Sequence, residues 1–234
     1  MITAITLTGD RPLAFSLCQK WMSQQTMQPD QWIIVDDGKT EIMPKEWPWV
    51  RREPLSSDPQ NTMGLNLSAA LPHISGDKII IIEDDDYYAP TYIAEMSRRL
   101  DKFDVVGITE SRYYHLPSGG YMSMGNVRHA SFAETAFRSS YLPELKAFAF
   151  RGLFPTPLDI IMWRKLRLSN RSLLFSDADR FLHLGIKGLP GRPGLGVGHR
   201  ATIYRNHDNQ DRAVLKKWVP KDYQAYLDIL GTAA

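Results

Sequence analysis

Four carboxylates in succession, Glu83, Asp84, Asp85 and Asp86, are the residues of this chain most ready to do chemistry. Held at the end of one strand they repel one another, and a fold keeps such a cluster where a cation relieves the repulsion. A divalent ion is the simplest candidate. Hard cations such as Mn²⁺ and Mg²⁺ prefer oxygen ligands and take one or two carboxylates together with substrate phosphates, a role that suits Asp84 and Asp85. Neighbouring strand residues point to opposite faces, so either the chain bends there or some of the four acids do other work. The plainer reading is that they cap the helix expected after Pro90, for which one would suffice. A second acidic pair, Asp36 and Asp37, stands before Gly38. A carboxylate there can accept a hydrogen bond from a nucleobase N–H or from ribose hydroxyls. Asp-Gly alone is common turn chemistry, and the pairing of the two sites gives it weight. One strand end would hold base and ribose, the other a diphosphate through the metal.

The elements that must position these acids are legible along the chain. Ile2 to Thr8 alternates β-branched and apolar residues as a strand does, and Pro12 opens a helix with Leu13, Leu17, Trp21 and Met22 near helical spacing. Trp32 to Val35 reads as a buried parallel strand and Trp49 to Arg51 as a short one. Asn61 to Leu71 is helical, and Lys78 to Ile82 is the strongest strand signal, with the acidic cluster at its end. A helix follows Pro90 to about Leu100, then a strand from Val105 to Thr109. Such alternation predicts an α/β fold with a mostly parallel sheet flanked by helices, in which ligands collect at the carboxyl ends of the strands. Beyond that the pattern is less regular. A helix or loop is expected around Phe132 to Phe150, and short helices over Leu158 to Leu166 and Asp177 to Leu184. A glycine-rich loop is expected from Gly188 to Gly198, then an amphipathic closing helix broken at Pro220.

The length of 234 residues suits one compact domain. Cys18 is the single cysteine, which excludes an intrachain disulfide and suits a reducing, cytoplasmic setting. No signal-peptide pattern opens the chain, and the apolar run Ile79 to Ile82 is far too short for a transmembrane segment. The net charge of +2 conceals an asymmetry: residues 1–146 carry −5 and residues 147–234 carry +7. An acidic half suits cation binding, and a basic half suits phosphate or another anionic partner.

Taken together, Thr8 to Pro12, Ile33 to Gly38 and Gly76 through Glu83–Asp86 to Pro90 resemble glycosyltransferase family 2, whose members have the GT-A fold and transfer a sugar with inversion from a nucleotide-diphosphate donor. The resemblance implies a nucleotide-sugar-binding half over residues 1–110, an acceptor and catalytic-base half over 111–234, and roles residue by residue. Asp85 looks like the family's metal-binding aspartate and Asp84 like its neighbour on ribose or metal. Asp37 looks like the base-recognising aspartate, with Thr8 beside it, and Arg11 belongs to the same donor-contacting segment. Ser176-Asp177-Ala178-Asp179 resembles the family's glutamate-aspartate pair, which makes Asp177 the catalytic base and Asp179 its alternative; Ser176 departs from the usual glutamate. Tyr204 to Asn209 resembles the terminal segment in which a histidine, here His207, completes the metal site, with His199 competing. The glutamine-arginine-tryptophan cluster of processive membrane synthases is absent, so one sugar per encounter is expected.

The donor expected on this resemblance is a UDP-sugar and the metal Mn²⁺ or Mg²⁺. The acceptor is a hydroxyl on a glycan, a lipid-linked intermediate or, given the basic second half, modified nucleic acid. Two competing readings stay open: a sugar-nucleotide nucleotidyltransferase, which would carry an arginine- and glycine-rich loop where this chain has Gly9-Asp10-Arg11-Pro12, and a non-catalytic nucleotide- and metal-binding module. The spacing of Gly194, Gly196 and Gly198 follows no strong strand, and a lid beside the donor is expected there rather than a dinucleotide fingerprint.

Overall fold

The apolar run Ile79 to Ile82 lies inside a seven-stranded sheet, with every isoleucine buried. The computed structural model describes residues 1–42, 46–58, 61–151, 158–166, 171–177, 180–194, 196–209 and 211–232. In chain order the elements are β1 (Ile2–Thr8), α1 (Pro12–Ser23), β2 (Gln31–Asp36), β3 (Trp49–Arg51), α2 (Met63–Ala70), β4 (Lys78–Ile81) and β5 (Tyr87–Tyr88). Then come α3 (Tyr92–Leu100), β6 (Val105–Thr109), β7 (Arg112–His115), β8 (Gly120–Ser123), β9 (Thr135–Arg138), α4 (Leu142–Arg151) and α5 (Leu158–Leu166). The chain closes with β10 (Ser172–Ser176), β11 (His183–Lys187), β12 (Asn206–His207), α6 (Ala213–Trp218) and α7 (Tyr223–Thr232).

The main sheet has the order β10-β6-β9-β4-β1-β2-β3. Its strands are parallel except β9, which runs antiparallel between β4 and β6. Successive side chains alternate between faces, so the sheet feeds two cores. Ala4, Trp32, Ile34, Ile80 and Ile82 pack with residues of α1, α3 and α7; Ile5, Ile33, Val35, Ile79 and Ile81 pack with α2, α4 and α5. Covering both faces explains why these strands are continuous apolar runs rather than alternating ones. The chain's end returns to the first core: the Tyr226 ring lies 5.7 Å from Trp21, both fully buried, and such a buried apolar side chain contributes roughly 1.5–3 kcal/mol.

Two expectations along the second half meet the structure differently. The helix expected over Asp177 to Leu184 is absent at its C-terminal end, where His183–Lys187 forms strand β11. Phe181, at φ +48, turns the chain into that strand, and the Asp177 carbonyl accepts from the N–H groups of Arg180 and Phe181. The region from Phe132 to Phe150 divides into β9 and α4, because an antiparallel strand fills the gap between β4 and β6. A hairpin, β7 with β8, was not anticipated at all. The closing helix does break at Pro220, into α6 and α7.

A second, five-stranded sheet has the order β12-β8-β7-β11-β5. Its strand β5 directly follows the acidic cluster, and β11 pairs antiparallel with β5 and parallel with β7. Sheet pairing therefore brings residues 183–187 to residues 83–86. Among the described residues no helix is long and apolar enough to cross a membrane.

Candidate functional site

Asp37 and the acidic cluster follow β2 and β4, the two strands that flank β1 in parallel, so both lie along the same carboxyl edge of the sheet. Asp36 is occupied structurally: its carboxylate accepts from the N–H groups of Gly38 (2.9 Å) and Ile42 (3.0 Å). Asp37 faces charged partners instead. Its Oδ1 lies 2.5 Å from Arg192 Nη2, and its Oδ2 accepts from Arg52 Nη2 (2.8 Å) and from the Thr62 hydroxyl. Burial opposes its ionisation, but Arg192, Thr62 and Arg52 outweigh that and hold its pKa below the usual carboxylate value. Gly9 passes so close that a Cβ there would stand 2.2 Å from Asp37 Oδ1, a close approach that requires glycine.

Between these sites, the end of β1 and the start of α1 reach the acidic cluster. The Thr8 hydroxyl donates to Asp84 Oδ2 at 2.8 Å. Arg11 bridges two acids, with Nη1 2.7 Å from Asp84 Oδ1 and Nη2 2.6 Å from Asp85 Oδ2. Asp84 thus belongs to the β1 side of the site, while Glu83, Asp85 and Asp86 converge elsewhere: one oxygen from each lies within 4.8 Å of the others. The chain bends as the alternation of strand side chains demands.

The cluster also holds cations from β11. Lys187, buried, places Nζ 2.8 Å from Asp86, 3.5 Å from Asp85 and 4.0 Å from Glu83. His183 is fully buried between Asp86 Oδ2 and Glu134 Oε1, at 3.0 Å from each. Burial alone would lower its pKa; Glu134 and Asp86 outweigh burial and raise it to about 10, so the ring is protonated at neutral pH. Asp85 is held below its ordinary value because Lys187 and Arg11 overcome its burial penalty, and Asp84 is pushed up to about 6 by burial, against the pull of Arg11. His199 sits with Nε2 3.6 Å from Asp85 Oδ2; burial and the charge of Lys187 lower it to about 4, so the imidazole is neutral at neutral pH.

On the other side of β9, Asp177 follows β10. Its Oδ1 pairs with Arg112 Nη1 at 2.9 Å and its Oδ2 accepts from the Leu182 N–H at 2.8 Å. Asp179 lies outside the described residues. His207 lies on β12, exposed, paired to Gly120 of β8.

No protein-family model matches the chain. YwdF of Bacillus subtilis (strain 168), an uncharacterized glycosyltransferase, is 25% identical over 107 residues, which is 45% of this chain and 40% of that protein's length. Among solved structures, residues 1-349 of S. aureus TarS in complex with UDP match with a TM-score of 0.59 at 14% identity, over 79% of this chain and 60% of that one. The mannosyltransferase PcManGT from Pyrobaculum calidifontis, in complex with GDP-Man and Mn²⁺, matches over 99% of this chain and 74% of its own, with a TM-score of 0.55 and 14% identity. The fold is the GT-A fold.

Within this GT-A sheet, Thr8, Arg11, Asp84 and Asp85 form one contact group, and Asp37 stands beside it across Gly9. The histidine brought to Asp85 is His199; His207 makes no such contact among the described residues. The donor set suits a hard divalent ion: three carboxylates, Glu83, Asp85 and Asp86, with a neutral imidazole beside one of them. Protein cations also answer the repulsion: Arg11, Lys187 and His183 all pair with these acids. Sequence reasoning passed over Lys187 and His183. Their signal was present: in His183-Leu184-Gly185-Ile186-Lys187 the apolar Leu184 and Ile186 alternate with His183, Gly185 and Lys187, the period of a strand.

Proposed function

We propose that this chain is a metal-assisted, inverting glycosyltransferase of family 2 that moves one sugar from a nucleoside-diphosphate donor, with a UDP-sugar preferred, to an acceptor hydroxyl. The observation that carries the reading is the alignment of Asp37, Thr8 with Arg11, and Glu83–Asp86 along the carboxyl ends of three adjacent parallel strands. That edge is long enough to address base, ribose and diphosphate in turn. The chain spans 40% of the curated relative it matches, so activity, donor and acceptor all belong to the proposal.

In this reading Asp37 accepts from the base, and Thr8, Arg11 and Asp84 form the ribose and phosphate side. Mn²⁺ or Mg²⁺, held by Glu83, Asp85 and Asp86 with His199 or His207, would supply Lewis-acid stabilisation of charge on the departing diphosphate. The acceptor oxygen attacks the anomeric carbon opposite the bond that breaks to the diphosphate oxygen, and Asp177 takes the hydroxyl proton. Arg112 pairs with Asp177, so that contact must open before Asp177 can serve as base. A basic second half suits an anionic acceptor, a lipid-linked intermediate or modified nucleic acid, while a neutral glycan needs no such balance.

A thermal-shift panel of nucleoside diphosphates with and without Mn²⁺ tests the reading, since a ligand that binds only the folded state raises its stability. Stabilisation by UDP that needs Mn²⁺, with slow hydrolysis of a UDP-sugar, is the expected result. Binding without turnover of any donor would favour a nucleotide-binding module, and no shift with any nucleotide removes the proposal.

A further inference from the structure

The three carboxylates able to share one metal ion, Glu83, Asp85 and Asp86, are the same three that Lys187 Nζ contacts. The lysine is not a surface group that happens to swing inward. It leaves β11 opposite His115 of β7, its side chain is 7% exposed, and its ammonium lies 5.7 Å from the Tyr113 ring centre. Gly198 stands against its alkyl stem, where an added Cβ would meet Cγ at 3.4 Å. Gly188 follows at φ +81 and turns the chain away, so Lys187 is the last residue of the strand and the one delivered to the cluster. An ammonium and a divalent ion cannot occupy one small set of oxygens together: each satisfies the same charges, and like charges about 4 Å apart repel strongly even at an effective dielectric of about 20.

We infer that Lys187 is a built-in counter-ion that holds the place of the divalent ion in the donor-free protein and competes with that ion for Glu83, Asp85 and Asp86. The acidic cluster is then stable without metal, and metal enters only as Lys187 gives up its carboxylates. This rests on the metal part of the function proposed above, but its test reads ion binding with no nucleotide present, so a failed donor panel leaves it standing.

The experiment compares the parent with Lys187→Met and the charge-retaining Lys187→Arg. Mn²⁺ binding is followed by the loss of the free-ion paramagnetic resonance signal, and thermal melting is recorded with Mn²⁺ and with chelator. Lys187→Met is expected to bind Mn²⁺ at least about tenfold more tightly than the parent, a factor equal to about 1.4 kcal/mol. It should also melt lower in chelator and be restored by Mn²⁺, whereas the parent's melting in the absence of nucleotide is indifferent to chelator. Lys187→Arg should behave as the parent does. Parent-like or weaker Mn²⁺ binding by Lys187→Met overturns the inference. So does a Lys187→Met protein that stays unfolded in saturating Mn²⁺, because the ion would then be unable to stand in for the ammonium.

Discussion

Arg112 and Asp177 form a buried ion pair, Nη1 to Oδ1 at 2.9 Å, with side chains 9% and 2% exposed. The pair joins the first residue of β7 to the residue that follows β10, and it occupies the carboxylate proposed above as the proton acceptor. Asp177→Asn keeps an oxygen for the Leu182 N–H but cannot take a proton. Turnover should fall by about 10²–10⁴ while donor affinity stays within a few-fold of the parent. Arg112 loses its charge partner in this variant, so the comparison belongs at a temperature where both proteins are folded. Single-turnover rates and calorimetric donor binding check the split; a near-parent rate would move the base elsewhere.

Asp85 is shared by Arg11, Lys187 and His199, so its loss removes the central acceptor of the site. At a donor concentration of about 100 times Kd, bound nucleotide stabilises a protein by about 2.7 kcal/mol. Asp85→Ala is expected to lose the Mn²⁺-dependent part of that gain. His199→Ala should weaken Mn²⁺ binding and His207→Ala should not; the opposite result would place His207 at the ion and require the segment around β12 to move. Thermal melting with UDP, with and without Mn²⁺, separates these outcomes.

The protonated His183 makes stability depend on pH. The folded protein holds this proton up to about pH 10, whereas an unfolded chain releases it near the ordinary histidine value of about 6.5. The native state therefore binds more protons between those values, and stability falls as pH rises. The contribution is whole below about 6.5 and is lost as pH climbs through about 10. His183→Gln should flatten this slope and lower stability at about neutral pH by roughly 3–5 kcal/mol, because Glu134 and Asp86, the latter still paired with Lys187, lose the cation that stands between them. Urea midpoints across the alkaline range read both effects, and a variant that keeps the parent's slope would place the titration on another group.

Gly107, in the middle of β6, tests the second core. A Cβ there would stand 2.4 Å from the buried Trp163 ring and 2.6 Å from Ala130. Gly107→Ala should cost about 1–3 kcal/mol through overpacking, measured by chemical denaturation, with nucleotide affinity unchanged once folded. A neutral substitution would mean that α5 is free to shift away from the sheet.

Local pattern alone determined much of the donor half. Runs such as Ile33 to Val35 and Ile79 to Ile82 are β-branched on both faces, and only a strand covered on both sides satisfies them, so the parallel sheet and the acids at its carboxyl ends followed from neighbouring residues. The identity of each acid's partner was decided by tertiary structure. Lys187 lies about a hundred residues from Asp86, and it arrives only because β11 pairs with β5, which directly follows the cluster. The same pairing placed His183 and Leu184, the last two residues of the segment read as helix, in a strand, since burial against β7 and β5 outweighed the helical look of the residues before them. Charge neutrality within the cluster is likewise a property of the assembled sheets: the repulsion is written in four consecutive letters, while the cations that answer it come from two distant places in the chain, the start of α1 and strand β11.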